Sequence, residues 1–206
     1  PPSEATKAEM YQQTHEITLF DDGTGIHTVV VKERNPSQSP ISRHSFINDT
    51  DDIETILDGD NNVLKKEVVR EGNHFRYTVY FKNPVPPGAA YIQKLPGKPG
   101  PMASRDGGKS VYNRFHIPGP ETMYSETITL PAGSYFMTAD PLPETVVKTN
   151  NQLTLVYQRH LQPNEPFKCR VEYLTKEDQE KWPREKIDYP FEKDDALDGM
   201  SVRGEG

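Results

Sequence analysis

Phe75-Arg76-Tyr77-Thr78-Val79-Tyr80-Phe81, then Asn83-Pro84-Val85-Pro86-Pro87-Gly88, then Tyr91-Ile92, is the stretch that decides the fold. Its first part alternates bulky apolar with polar side chains, the period of a strand that buries one face. The prolines that follow remove backbone donors and fix φ, so the strand must end and the chain reverse. A second stretch follows nearly the same plan. Leu153-Thr154-Leu155-Val156-Tyr157 leads into His160-Leu161-Gln162-Pro163-Asn164-Glu165-Pro166 and then Phe167-Lys168-Cys169-Arg170-Val171-Glu172-Tyr173. In both, a strand ending in Val-Tyr meets a proline-centred reversal and re-emerges as a strand led by an aromatic residue. Each copy reads as a strand pair able to close one β-sandwich unit.

Composition agrees with many short strands. The chain has 206 residues, enough for one large or two small domains, with 19 prolines and 14 glycines, which do not fit a helical bundle. A hydrophobic fraction of 33% and a mean hydropathy of −0.80 imply much exposed loop, sandwich edge or tail. A formal charge of −7 disfavours nucleic acid and anionic membrane surfaces as partners, since phosphate binding needs a basic face. With one cysteine, neither an intrachain disulfide nor a cysteine-rich metal site can form. Cys169 shares parity with Phe167, Val171 and Tyr173, which predicts an inert core thiol. No apolar run has the length of a membrane helix. Because the chain starts at Pro1, it is expected to be a processed or truncated piece, any signal peptide or membrane anchor having preceded it.

The expected organisation is a lead over 1–13, disordered or shortly helical, and a first β-sandwich unit over 14–95. A Pro/Gly-rich linker or flap over 96–109 follows, then a second unit over 110–174, and a short helix with a charged tail over 175–206. Asp21-Asp22-Gly23-Thr24-Gly25 closes an opening hairpin, and Asp58-Gly59-Asp60-Asn61-Asn62 turns the chain from a strand over 53–57 into one over 63–70. Thr175-Lys176-Glu177-Asp178 reads as a capping box ahead of a helix that Pro183 stops. The fold class is therefore an all-β antiparallel sandwich, expected as two tandem units of immunoglobulin-like or fibronectin-like form. One fused sandwich with a shared core is the alternative.

Chemistry is sparse. Asp58, Asp60 and Asn62 have calcium-loop spacing, but Val63 stands where the sharp-turn glycine belongs and Val69 where the bidentate glutamate belongs; an Asx-stabilised hairpin accounts for the same residues. The histidines form no HxH, HxxxH or HExxH pair, and there is no Gly-x-Ser-x-Gly elbow. Acid pairs such as Asp51 with Asp52, or Asp194 with Asp195, read as solvated turn or tail. Neither catalysis nor a cofactor is expected. Asn48-Asp49-Thr50 matches the N-glycosylation pattern. With Phe75, Tyr77, Val79 and Phe81 inward, strand parity turns His74, Arg76 and Tyr80 outward; Tyr112, Arg114 and His116 are likewise in phase, opposite Val111, Phe115 and Ile117. Aromatics interleaved with cations in this way could stack a sugar or anchor a partner, or form an ordinary solvated face with cross-strand pairs.

The function expected from the sequence is a non-enzymatic, extracytoplasmic binding or structural module that works through protein contacts. The alternatives are a carbohydrate-binding accessory domain of a larger enzyme, or the extracytoplasmic sensor portion of a membrane-anchored regulator. The partner is then a protein or a glycan, and a membrane is reached only through a segment outside this chain.

Overall fold

The computed structural model describes residues 11–182 and 201–204, the last four by backbone alone. The strands are β1 (Tyr11–Leu19), β2 (Thr24–Arg34), β3 (Ile41–Asn48), β4 (Lys65–Glu71), β5 (His74–Val85), β6 (Ala90–Pro96), β7 (Gly100–Pro101) and β8 (Ala103–Asp106). They continue with β9 (Lys109–His116), β10 (Thr122–Thr129), β11 (Tyr135–Asp140), β12 (Thr145–Thr149), β13 (Gln152–Leu161) and β14 (Phe167–Leu174). Helix α1 (Lys176–Lys181) and β15 (Ser201–Gly204) close the chain. Among the described residues the protein is all-β with one short helix near its C-terminal end, as its alternation and its turn residues require.

An eight-stranded sheet runs in the order β15-β12-β13-β10-β1-β2-β6, with β7 also on β2. A four-stranded sheet (β11-β14-β9-β8) and a three-stranded sheet (β3-β5-β4) complete the body. The main core lies between the first two. Ile17, Leu19, Tyr124, Ile128, Leu155 and Tyr157 come from the large sheet and pack with Tyr112, Phe136, Phe167, Cys169, Val171 and Tyr173 from the four-stranded one. Burying each of these side chains contributes about 1.5–3 kcal/mol, which outweighs the low overall apolar fraction. A smaller core of Ile56, Leu64, Tyr77 and Val79 belongs to the three-stranded sheet and the 53–64 excursion, with Phe46, Ile53 and Phe75 against it.

Three expectations change. First, β1 pairs in parallel with β10, from His15 opposite Glu126 to Ile17 opposite Ile128, so one sheet joins strands from both sides of 96–109. The sequence shows the alternation of each strand but not its partner, and the partners here are far apart in the chain. Second, 96–109 carries β7 and β8. Asp106 faces Lys109 across a two-residue loop whose Gly107 and Gly108 take φ of +59° and +88°, the turn that closes a tight hairpin. Third, the near-repeat does not pair with itself. Its proline reversals carry the chain from one sheet to another, from β5 to β6 and from β13 to β14. The recurring plan is thus a corner between layers.

Smaller boundaries shift too. β1 begins at Tyr11, inside the expected lead, whereas 1–10 lies outside the described residues, as does the tail apart from 201–204. No strand forms over 53–57: only Leu57 bridges, to Val63 and to Lys94. The capping box is present, with Asp178 N donating to Thr175 Oγ1 at 3.2 Å and Thr175 N donating to Asp178 Oδ2 at 3.1 Å. The hairpin at Asp58 is closed by its own carboxylate: Oδ1 accepts from the backbone N–H of Asp60 and of Asn62, each at 2.9 Å.

Candidate functional site

The two outward rows expected from parity part company. His74, Arg76 and Tyr80 lie on the outer face of the three-stranded sheet. Each is held there by a carboxylate: His74 Nδ1 lies 2.8 Å from Asp49, Arg76 forks onto Glu71 at 2.7 and 2.8 Å, and Tyr80 donates to Glu67 at 2.6 Å. The last two are cross-strand pairs between β5 and β4, and the first ties β5 to the turn after β3. Tyr112, Arg114 and His116 are in phase as expected but face the opposite way. Tyr112 is 2% exposed, while Phe115 and Ile117 on the other face are 56% and 49% exposed. The inversion has a physical reason. Arg114 on β9 turns inward to meet Glu126 on β10, which is fully buried. A charge so buried is tolerated only with a partner of opposite sign.

Around that pair sits a polar cluster within the sandwich. Arg114 Nε lies 3.4 Å from Glu126 Oε2, Tyr124 OH donates to the same carboxylate, and Cys169 Sγ lies 3.6 Å from its other oxygen. On the far side of Arg114, His15 Nδ1 is 3.0 Å from Arg114 Nη2 and 2.7 Å from His27 Nε2. A guanidinium N–H only donates, so His15 Nδ1 is the acceptor, and His27 Nε2 must carry its own proton to donate as well. His15 is therefore neutral, with its proton on Nε2. The rings of His15, His27, His116 and Tyr124 stack or tilt against one another at 4.9–5.0 Å.

Burial sets the electrostatics of the cluster, with Arg114 adding to it. Desolvation and then Arg114 depress the histidines, His15 to about 2 and both His27 and His116 to about 4. Desolvation raises the Glu126 carboxyl above its ordinary range despite Arg114, and it also raises the Cys169 thiol. Among the described residues no set of three His, Cys, Asp or Glu side chains is arranged to hold a metal ion. Glu126 is fully enclosed, and through Arg114 and Cys169 the cluster links the large sheet to the four-stranded one.

An open site lies next to it. A groove of about 620 Å³ runs between the large sheet and the edge of the three-stranded one. Its floor is the face shared by β1, β2 and β6. Gln13, Val31 and Gln93 form one cross-strand row, and Val29 and Leu95 belong to the next. Phe46, Ile47 and Ile53 line it from above, giving an aliphatic and aromatic middle. Polar groups stand at both ends. His27 links one end to the buried cluster. At the other, Tyr91 donates to Glu33 at 2.6 Å, His44 Nε2 lies 3.5 Å from Glu33, and burial beside Glu33 pushes the Tyr11 phenol up to about 12. The sequence carried a partial signal for this floor in the β-branched run Thr28-Val29-Val30-Val31, apolar on both faces of its strand. What lies above that run was not readable.

No protein-family model and no curated protein sequence matches the chain. Solved structures do: an M1 zinc metallopeptidase from Deinococcus radiodurans aligns at 14% identity and a TM-score of 0.44, over 78% of this chain and 41% of its own. Native leukotriene A4 hydrolase from Saccharomyces cerevisiae aligns at 9% identity and a TM-score of 0.44, over 84% of this chain and 32% of its own. The chain thus spans well under half the length of either protein.

Proposed function

We propose that the chain is a non-catalytic binding module that works through protein–protein contacts outside the cytoplasm, with the groove above β1, β2 and β6 as its contact surface. One observation carries this: Val29, Val31, Leu95, Phe46, Ile47 and Ile53 line a concave apolar channel with polar groups at its ends. Concave apolar surface with a few placed polar groups is the usual form of a recognition site. The outer face bearing His74, Arg76 and Tyr80 is less suited, because its cations are already paired with carboxylates.

The test is chemical cross-linking in the native source, followed by purification of the intact chain and its Val31→Glu variant. Loss of the cross-linked partner from Val31→Glu, at an unchanged melting temperature, is the expected result. Retention by that variant together with loss from the Arg76→Ala, Tyr80→Ala double variant would move the site to the outer face. Cell fractionation checks the compartment.

Gln13 and Gln93 at the groove favour one second reading, a carbohydrate-binding accessory domain, since side-chain amides match vicinal hydroxyls. A glycan array separates the two.

A further inference from the structure

The groove has a feature that a plain apolar slot lacks, a free strand edge along one wall. Among the described residues strand β3 is outermost in its sheet and pairs only with β5. Phe46, Ile47 and Asn48 are consecutive, so they alternate between the two faces of β3, yet all three line the groove. Lining by residues of both faces fits a strand whose edge, rather than one face, is turned toward the groove. An edge of this kind leaves every second residue with an N–H and a C=O unpaired on that side.

The protections of this edge, Arg43 and a register shift, sit at the start of β3 and leave its second half plain. No proline lies within β3, and its register shift is confined to the Ile41/Arg43 step, leaving the pairing regular from Arg43 to Asn48. The contrast with β6 is instructive. That strand ends the large sheet, and the 53–64 excursion covers it, with Leu57 N donating to Lys94 O at 2.9 Å and Lys94 N to Leu57 O at 2.8 Å. One edge is closed by the chain itself, and the edge beside the groove is left open among the described residues.

Below that edge, Val29 and Val31 stand two residues apart on one face of β2, about 7 Å apart, which is the side-chain repeat of an extended chain. Charge also has a direction. In the acidic stretch that follows β3, Asp49 pairs with His74 and Glu54 with Lys98. Asp51 and Asp52 meet no cation at ion-pair distance among the described residues, and Asp52 lines the groove.

We infer that the groove takes an extended peptide, which pairs as an added strand with the free edge of β3 and places a lysine or arginine against Asp51 and Asp52. This rests on the groove being a protein-contact surface, and it names the partner's conformation and charge. Main-chain hydrogen bonds along β3 supply affinity, the floor selects alternate apolar side chains, and the two aspartates fix direction.

The test begins with selection of a displayed random-peptide library on the intact chain. The dominant peptide is then synthesised as a series with one backbone nitrogen methylated at a time. Binding should weaken by about tenfold or more at every second position and stay nearly constant between them, because only alternate N–H groups face β3. Asp51→Asn with Asp52→Asn should weaken it several-fold and reduce its salt dependence. Peptides that lose binding to Val31→Glu but show no two-residue methylation pattern would overturn the added strand while leaving the groove as the contact surface. Peptides indifferent to Val31→Glu, or a selection that yields none, would overturn both.

Discussion

Glu126 shows how much one residue decides. Its parity with Tyr124 and Ile128 puts it on the buried face of β10, and that draws Arg114 inward, with Tyr112 and His116 on the same face of β9. The parity of the Tyr112 row was legible in the sequence. Its direction was not, because Glu126 reads as an ordinary polar position until β9 is known to lie opposite. The histidines that surround Arg114 make stability depend on pH. In the unfolded chain they take protons near pH 6.5, whereas in the fold His27 and His116 do so only near 4 and His15 lower still. Between those values the unfolded state binds more protons, so stability falls as the pH drops from about 7 toward 4. Glu126, raised in the fold, acts in the opposite sense and offsets part of the loss. Urea midpoints at pH 7 and pH 4.5 should therefore differ, and the His27→Gln, His116→Gln double variant should lose much of that difference. An identical difference in the variant would contradict the assignment. Cys169 gives a second check. At 4% exposure its thiol should react slowly with a disulfide reagent in native buffer and at full rate in denaturant. Cys169→Ser should cost only about 1 kcal/mol, since Glu126 is in place to accept from the new hydroxyl.

At the scale of the element, alternation identified the strands well wherever one face is buried. β5, with Tyr77 and Val79 inward, and β14, with Phe167, Cys169, Val171 and Tyr173 inward, are where the sequence puts them. The excursion over 53–64 failed for the complementary reason. Its Ile56 and Leu64 are buried in a small satellite core without a ladder to hold them, so their apolar character signalled burial but not a strand. The segment over 96–109 failed because two adjacent glycines serve a linker and a tight hairpin equally well. Gly108 tests that hairpin. It holds φ of +88°, and a Cβ there would lie 3.2 Å from the Trp182 ring, so Gly108→Ala should lower stability by about 1 kcal/mol or more. Unchanged thermal unfolding of the variant would mean that the turn is not formed. The two aromatic-cation rows should also respond differently. Arg76→Ala and Tyr80→Ala should each leave the melting temperature nearly unchanged, as truncations of exposed pairs do. Tyr112→Ala, which empties a core position, should cost about 3–5 kcal/mol. Equal effects in the two rows would contradict their placement.

At the scale of the whole molecule, the near-repeat suggested two tandem sandwiches, and the sheets show one body built across that division. The large sheet seats β1 beside β10, and the four-stranded sheet covers its β10 and β13 side. The three-stranded sheet is left to stand beside the half-buried floor of β1, β2 and β6, and the groove forms where the two meet. The proposed contact surface therefore depends on the shared sheet: without β10, β1 loses one of its two neighbours and the floor loses its support. The most direct test is to express residues 1–95 and 96–206 separately and together, and to record amide spectra of each sample. Shared strands predict that each fragment alone gives the narrow dispersion of an unfolded chain, and that the mixture recovers the dispersed spectrum of the intact protein. A well-dispersed spectrum from either fragment by itself would contradict the single body on which the proposed site is built.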